Sequence, residues 1–210
     1  MQLYAYDTPN GRKISVALEE MGLPYEVRVV DITQGEQHAA EFLKISPNNK
    51  IPALLDPDGP GGRPIGIFES GAILIYLAEK TGRFLPRDGA GRVAVFEWLM
   101  FQMGGFGPMP GQVHHYAGLA DEADRRYGLA RYLAETQRLY GVMDRRLAGH
   151  AHFAGAAVSI ADFAILGWAW RHARHRTDLA DYPNVRRWYD AMLARPGVAR
   201  GFAVPLKHAA

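Results

Sequence analysis

The spacing of hydrophobic positions changes twice within the first thirty residues. Residues 3–6 are a short β-prone run that ends in polar and turn-forming residues at 7–11. Apolar residues then recur at helical spacing over 14–21, and residues 25–30 form a second β-rich run. A strand, a helix and a strand in this order predict a βαβ unit with two parallel strands.

The following fifty residues extend this unit into a small sheet. Residues 36–43 predict a second helix. Residues 51–55 and 65–68 are β-prone runs on either side of a stretch rich in glycine and proline, which predicts an antiparallel hairpin. A helix over residues 70–80 follows. The order βαβ, helix, ββ, helix is that of a thioredoxin-like domain, which we assign to residues 1–82.

After a loop at residues 81–91, the apolar positions keep helical spacing only. The predicted helices cover residues 93–103, 125–147, 160–174 and 185–194. Glycine and proline make up six of the eight residues at 104–111, so we expect the first of these helices to kink or end there and leave an irregular segment. The predicted fold class is α/β plus all-α: a thioredoxin-like N-terminal domain followed by an all-helical C-terminal domain at residues 90–210.

Composition narrows the chemistry that this chain can perform. The 24 basic and 22 acidic residues give a net charge of +2 and form no block of like charge, so no nucleic-acid footprint is predicted. The chain has no cysteine, which excludes disulfides, thiolate metal sites and a protein cysteine nucleophile. For any thiol chemistry, a ligand must therefore supply the thiol.

Targeting and membrane signals are not apparent in the sequence. The first ten residues lack the basic and apolar regions of a signal peptide, and no stretch approaches the roughly 18 apolar residues of a membrane span. We expect a cytoplasmic protein with neither a membrane nor a nucleic-acid partner.

The tetrapeptide Thr8-Pro9-Asn10-Gly11 lies where the first predicted strand meets the first helix. Backbone N–H groups and the helix dipole favour a bound anion at such a junction. A hydroxyl from Thr8 and a donor from Asn10 would stabilise a thiolate and thereby lower the pKa of a bound thiol. The alternative is structural: Thr8 or Asn10 caps the helix, and Pro9 sets the turn.

Two further segments suit an extended peptide ligand with an amino-acid head. Ile51-Pro52, at the entrance to a strand, is a candidate cis peptide that would present the backbone of Ile51 to such a ligand, and an ordinary trans bond is the alternative. Glu69 and Ser70 open a helix, where the hydroxyl can hold a carboxylate and the Glu69 carboxylate an ammonium group. A plain helix cap at Ser70 is the alternative.

Taken in order, these motifs resemble the glutathione site of the glutathione transferase superfamily. The matching segments are TPNG at 8–11, SPNNKIP at 46–52 and FESGAI at 68–73. The chain is similar in particular to the bacterial Nu class and to the related fungal nitrogen-regulator prion protein. That similarity extends through GG at 104–105, GQVHH at 111–115, RY at 131–132 and ETQRLY at 135–140. The resemblance covers nearly the whole chain.

The resemblance implies a role for each residue of the two peptide-binding segments. Ile51 would pair with the cysteinyl backbone of glutathione through a cis-Pro52. Glu69 and Ser70 would bind the γ-glutamyl head.

The resemblance implies that Thr8 and Asn10 face the sulfur atom of glutathione. Most classes of the superfamily have Tyr, Ser or Cys at this place, so Tyr4 and Tyr6 are the competing candidates. These two tyrosines alternate along the first strand and point to the same face, where packing with a polar tip is the expected role.

Four more residues complete the implied ligand set. Gln37 and Lys50 would lie near the glycyl end of glutathione. Gln102 and Arg131, from the helical domain, would help to hold a second glutathione or the disulfide form.

The resemblance implies a glutathione-dependent disulfide-bond oxidoreductase that reduces small disulfides with bound glutathione. The absence of cysteine fits, because two glutathione molecules can take the part that a protein dithiol plays elsewhere. A glutathione conjugating transferase or peroxidase, and a non-catalytic glutathione-binding regulatory protein, are the alternatives. The implied ligand is glutathione, bound as one molecule, as two molecules or in the oxidised form, and no metal is implied. The resemblance also implies that the protein is a homodimer.

Overall fold

A computed structural model of the protein describes residues 1–208, which contain four strands and nine α-helices. The strands are β1 (Gln2–Ala5), β2 (Glu26–Val29), β3 (Ala53–Asp56) and β4 (Ile65–Phe68). The helices are α1 (Pro9–Met21), α2 (Ala40–Leu43), α3 (Ser70–Thr81), α4 (Gly89–Phe101), α5 (Pro108–Ala117), α6 (Glu122–Leu147), α7 (Ile160–Ala169), α8 (Pro183–Leu193) and α9 (Pro196–Ala203). The helix predicted over residues 36–43 is instead a 3-10 turn, Glu36–His38, followed by the short α2.

These elements divide into two compact units. The first contains residues 1–83 together with residues 194–208, and the second contains residues 84–193. Helix α9 therefore packs with the first unit. The domain boundaries that we assigned from the sequence, residues 1–82 and 90–210, remain a prediction.

The first unit is built on a sheet with the strand order β2-β1-β3-β4. Strand β1 is parallel to β2, and β3 is antiparallel to both β1 and β4. These pairings confirm the predicted βαβ unit and the predicted hairpin. Apolar side chains of the strands and of the helices α1 and α3 form the core, with Leu3, Leu54, Ile14, Leu18, Ile73 and Leu77 fully buried.

Helix α9, which the hydrophobic pattern did not reveal, packs against α1. A Cβ on Gly201 would lie 2.5 Å from the Cα of Val16, so only glycine permits this approach. The guanidinium of Arg195 donates two hydrogen bonds to the carboxylate of Glu20, at 2.9 and 2.6 Å. A close backbone contact and a bidentate ion pair therefore hold α9 against α1.

The second unit is helical, and α7 forms its centre. All residues of α7 are buried. At its N-terminus the carboxylate of Asp162 accepts hydrogen bonds from the N–H of Ser159 at 2.9 Å, the N–H of Phe153 at 3.2 Å and the indole N–H of Trp188 at 2.9 Å. Asp162 thus joins the start of α7, the preceding loop and helix α8.

The glycine-rich segment at residues 104–111 is more regular than its sequence predicts. A π-helical turn, Gln102–Phe106, continues α4, and α5 begins at Pro108 and includes Gly111. The expectation of an irregular segment is therefore wrong. Pro108 and Pro110 lie in the first turn of α5, where N–H groups have no partner within the helix, so proline is tolerated there.

The predicted fold class is confirmed, because a thioredoxin-like four-stranded sheet with helices is followed by helices alone. Within residues 1–208, no helix has both the length and the hydropathy that crossing a membrane requires.

Candidate functional site

Three of the predicted motifs meet at one end of the sheet. In the strand register Tyr4 lies opposite Ala53, and Ala53 lies opposite Phe68. At this end β1 runs out towards Thr8 and β4 runs out towards Glu69. Strand β3 enters the sheet here, directly after the Ile51-Pro52 peptide. The antiparallel pairing of β3 with both neighbours therefore brings the three segments together.

Thr8 is the N-cap of helix α1. Its backbone is extended, its Oγ1 accepts a hydrogen bond from the N–H of Gly11 at 3.2 Å, and its hydroxyl donates to the carbonyl of Tyr6 at 3.3 Å. Pro9 and Asn10 follow as the first two helical residues. The capping role is therefore present, and it puts the hydroxyl at a helix N-terminus, where partial positive charge favours a thiolate.

The first turn of α1 is fixed on both sides. A Cβ on Gly11 would lie 2.4 Å from the carbonyl oxygen of Tyr6, so glycine is required for the helix to start this close to β1. Arg12, which is buried, donates to Asp7 at 2.7 Å and to the carbonyl of Val204 at 2.7 Å. Burial alone would raise the pKa of Asp7, but the Arg12 guanidinium holds it below the usual value. The loop that carries Thr8 is thereby tied to the chain after α9.

The two tyrosines that compete with Thr8 have their own partners. The hydroxyl of Tyr4 donates to the side chain of Gln2 at 3.0 Å, and its ring lies 6.2 Å from that of Phe42 between centroids. The side chain of Tyr6 contributes to the lowered pKa of the Asp31 carboxylate, after the larger effect of Thr33. These contacts agree with packing roles for both tyrosines and favour Thr8 as the residue that faces a sulfur atom.

The peptide bond between Ile51 and Pro52 is cis. Ile51 is half-buried and packs against the cluster formed by Val30, Phe42 and Ala53. The turn before it is held by a hydrogen bond from the hydroxyl of Ser46 to the carbonyl of Lys50, at 2.8 Å. The predicted cis form is thus present, beside a fixed turn at the sheet end that also carries Thr8.

Glu69 and Ser70 form the junction between β4 and α3. Glu69 has a φ of 68° and a ψ of 115°, a conformation that costs a non-glycine residue about 1–3 kcal/mol. Its side chain is exposed and does not cap the helix, whereas Ser70 is buried as the first residue of α3. The exposed carboxylate is therefore available for an ammonium group beside the hydroxyl at the helix N-terminus.

Lys13, which none of the predicted motifs includes, lies next to this junction. Lys13 is only 1% exposed, and its Nζ donates a hydrogen bond to Oγ of Ser70 at 3.2 Å. Burial lowers the pKa of Lys13 to about 7, against the opposing attraction of the Glu69 carboxylate. A signal did exist: Lys13 precedes the apolar Val16 and Ala17 by three and four residues, which puts it on the buried face of α1.

The residues implied at the glycyl end differ in their surroundings. Gln37 lies in the 3-10 turn Glu36–His38, and its Oε1 is buried without a hydrogen-bond partner in the part of the chain that the structure describes. The side chain of Lys50 is exposed. Their roles towards a glycyl carboxylate remain predictions.

Gln102 and Arg131 lie on different elements of the second unit. Gln102 is fully buried where the π-helical turn begins, and Arg131 is exposed on α6. Arg131 lines a cavity of about 520 Å³ with Met109, Tyr132, Ala134, Glu135 and Arg138. The role of both residues at a second glutathione remains a prediction. Among residues 1–208, no group of three or more His, Cys, Asp or Glu side chains is arranged to hold a metal ion.

Family models match most of the chain. Residues 8–80 match the N-terminal domain of glutathione S-transferase, and residues 111–196 match its C-terminal domain. The chain is 47% identical over 201 residues to the disulfide-bond oxidoreductase YfcG of Escherichia coli strain K12, with 95% of this chain and 93% of the relative covered.

Solved structures of similar proteins have the same fold. A glutathione transferase family member from Pseudomonas fluorescens, with two glutathione molecules bound, has a TM-score of 0.92 and 46% identity over 97% of this chain and 92% of its own. A glutathione transferase from Pseudomonas putida, with one glutathione disulfide bound per subunit, has a TM-score of 0.87 and 45% identity over 97% of this chain and 91% of its own. The protein described here therefore belongs to the glutathione S-transferase family.

Proposed function

We propose that this protein is a glutathione-dependent disulfide-bond oxidoreductase of the Nu class, which reduces small disulfides with bound glutathione. One observation carries the proposal: the Thr8 hydroxyl caps α1 at the same sheet end as cis-Pro52 and the Glu69–Ser70 junction, in a chain without cysteine. A thiol-disulfide reaction at this place needs a thiol from the ligand. Glutathione has the thiol, the extended peptide backbone and the amino-acid head that these motifs suit.

The reaction consists of two thiol-disulfide exchanges. The thiolate of bound glutathione attacks one sulfur of the substrate disulfide, a mixed disulfide forms, and the other sulfur leaves as a thiolate that takes up a proton. A second glutathione thiolate then attacks the glutathione sulfur of the mixed disulfide, which yields glutathione disulfide and releases the remaining substrate thiol. Two glutathione molecules are oxidised, and one disulfide is reduced.

In this scheme the protein contributes position and electrostatics. Thr8 and Asn10 are the catalytic residues, because donors at the N-terminus of α1 stabilise the thiolate and so increase its fraction at neutral pH. Ile51 and Pro52 hold the cysteinyl backbone, and Ser70 holds the γ-glutamyl carboxylate.

The remaining residues of the proposed site also bind parts of glutathione. Glu69 pairs with the γ-glutamyl ammonium group, Gln37 and Lys50 lie at the glycyl end, and Gln102 and Arg131 hold the second glutathione. The two glutathiones in the P. fluorescens relative and the disulfide in the P. putida relative support the use of both forms. A cytoplasmic location fits this chemistry, because the cytosol keeps glutathione reduced.

The test is the reduction of a small model disulfide by glutathione, coupled to NADPH-dependent glutathione reductase, beside conjugation of a standard aryl halide. We expect rapid disulfide turnover and negligible conjugation. The reverse result would make the protein a conventional transferase, in which the same thiolate attacks an electrophile. Glutathione binding without turnover of either acceptor, or of a hydroperoxide, would indicate a binding protein.

A homodimer is proposed together with this function. On α4, Val93 is 57% exposed and Met100 is 53% exposed, and a spacing of seven residues puts both on one face of the helix. Apolar side chains this exposed suit contact with a second copy of the chain, the arrangement that the family resemblance implies.

Light scattering should therefore give the wild-type protein twice the chain mass of 23.3 kDa. A charge buried in an interface without a partner is costly, so Met100→Glu should shift the protein towards the monomer. Leu193→Glu, at a position 36% exposed on α8, is the matched control and should leave the dimer intact. A wild-type protein of single chain mass would contradict the proposal.

A further inference from the structure

The cavity that Arg131 lines contains three charged side chains from one face of α6. Arg131, Glu135 and Arg138 follow one another at spacings of four and three residues, which makes their side chains neighbours on the helix surface. Two guanidinium groups and one carboxylate leave this cavity of about 520 Å³ with a net positive charge. The uncharged part of its lining consists of Met109, Tyr132 and Ala134.

Aromatic packing fixes the wall beside these charges. The ring of Tyr132 stacks on that of Tyr116 from α5, with 5.6 Å between the centroids and 22° between the planes. A Cβ on Gly128 would lie 2.2 Å from Cε1 of Tyr116, so glycine is required for that ring to pack against α6. The contact between α5 and α6 therefore holds this wall of the cavity in place.

Glu135 pairs with only one of its two arginine neighbours. Nε and Nη2 of Arg138 donate to the two carboxylate oxygens of Glu135 at 2.7 and 2.8 Å, which is a bidentate pair. This hydrogen bonding lowers the pKa of Glu135 against the opposing effect of burial, and the charge of Arg131 adds to the shift. Within residues 1–208, Arg131 makes no hydrogen bond or ion pair of its own. Its donors therefore remain for a ligand.

The same helix face offers Glu135 a second partner. Arg131 and Glu135 are four residues apart, a spacing at which opposite charges also pair. If Glu135 turned to Arg131, it would occupy the planar guanidinium group that suits an incoming carboxylate, and it would repel that ligand. The pair with Arg138 therefore decides whether the charge of Arg131 faces a ligand.

We propose that Arg138 is a positioning residue: it holds Glu135 in the bidentate pair and thereby leaves Arg131 available to a carboxylate of the second glutathione or of the disulfide form. This inference rests on the proposed function, in which Arg131 binds that molecule. Arg138 itself does not touch the ligand. The cavity then selects by charge, and a second ligand with a carboxylate should bind more tightly than a neutral one of the same shape.

The test compares two ligands by calorimetry: glutathione disulfide, and the same disulfide with the carboxylates of one half converted to amides. The unmodified half can occupy the first site in both, so the difference between them reports the charge at the second site. The wild-type protein should prefer the charged form by roughly tenfold or more, as expected for a charge-assisted hydrogen bond. Arg131→Gln should lose most of that preference.

Variants of the pair separate positioning from direct contact. Arg138→Gln releases Glu135 and should lower the preference by roughly threefold, whereas Glu135→Gln should keep or raise it. The double variant lacks the released carboxylate as well, so its preference should return to about that of the wild type. Arg138→Lys keeps the charge without the planar fork and should lose part of the preference. Arg186→Gln, which removes an arginine from a similar exposed pair with Asp190 on α8, is the matched control and should behave as wild type.

A double variant as weak as Arg138→Gln would show that Arg138 contacts the ligand or supports the fold, and would overturn the inference. Full preference in Arg138→Lys would show that charge alone suffices, with the same consequence. An equal affinity of the wild-type protein for the two disulfides, or an unchanged preference in Arg138→Gln, would also contradict it. Failure of the wild-type protein to bind either disulfide would instead refute the proposed function.

Discussion

Replacing Thr8 or Asn10 with alanine should lower the rate of disulfide reduction by roughly 100-fold, the usual effect of removing one donor that stabilises developing or bound negative charge. Glutathione binding should change much less, because in the proposed site Ile51, Glu69 and Ser70 hold the peptide backbone and the γ-glutamyl head. The measurement is kcat/KM in the coupled reductase assay, beside the Kd for S-methylglutathione. Ser70→Ala should show the opposite pattern, with weaker binding as the main effect.

Controls separate the proposed catalytic role of Thr8 from its structural role. Thr8 also caps α1 through the N–H of Gly11, and loss of such a cap costs about 1 kcal/mol of stability. Thr8→Ser keeps the hydroxyl and the cap, so it should retain turnover. Thr33→Ala removes a hydroxyl from an exposed loop and should have no effect. Unchanged turnover in Thr8→Ala and Asn10→Ala would remove both residues from the mechanism.

Replacing Asp162 with alanine should have the largest effect on stability. The change leaves three buried N–H donors without their acceptor, namely the N–H groups of Ser159 and Phe153 and the indole N–H of Trp188. Each loss of this kind costs about 1–3 kcal/mol, so we expect a total of about 4 kcal/mol or more. Because the stability of a whole domain is about 5–15 kcal/mol, this is a large share.

Urea denaturation measures the lost free energy of unfolding directly. In thermal denaturation, the Tm should fall by about 8–16 °C. Ser159→Ala removes one hydroxyl that donates to the same carboxylate, at 3.0 Å, and should cost only about 1 kcal/mol. A variant Asp162→Ala as stable as Ser159→Ala would show that other groups or water satisfy the three donors.

The parts of the fold that the sequence predicted are those whose signals are local. The strand Ile65–Phe68 and the start of α3 at Ser70 agree with the prediction, because glycine and proline precede the strand and serine is frequent at helix N-termini. The capping box that Ser159 and Asp162 form at the start of α7 is a local feature of the same kind. The motifs of the candidate site were likewise visible one by one, but their meeting at one sheet end depends on strand register.

The missed features depend on contacts between distant residues. Helix α9 is only eight residues long and contains two glycines, and its place is set by the approach of Gly201 to Val16. The basic residues at 171–176 have the composition of a solvated helix end, yet His175 is fully buried, with its Nδ1 2.9 Å from the hydroxyl of Tyr140. Burial lowers the pKa of His175 to about 3. Lys13 was missed because a charged residue is normally assigned to the surface.

The return of α9 to the first unit also determines the order in which the chain can fold during synthesis. Residues 84–193 are continuous, so all the contacts of the second unit can form before the last helix leaves the ribosome. The first unit is discontinuous, and Val16 on α1 stays uncovered until Gly201 has been added. The half that carries Thr8 is therefore translated first and completed last.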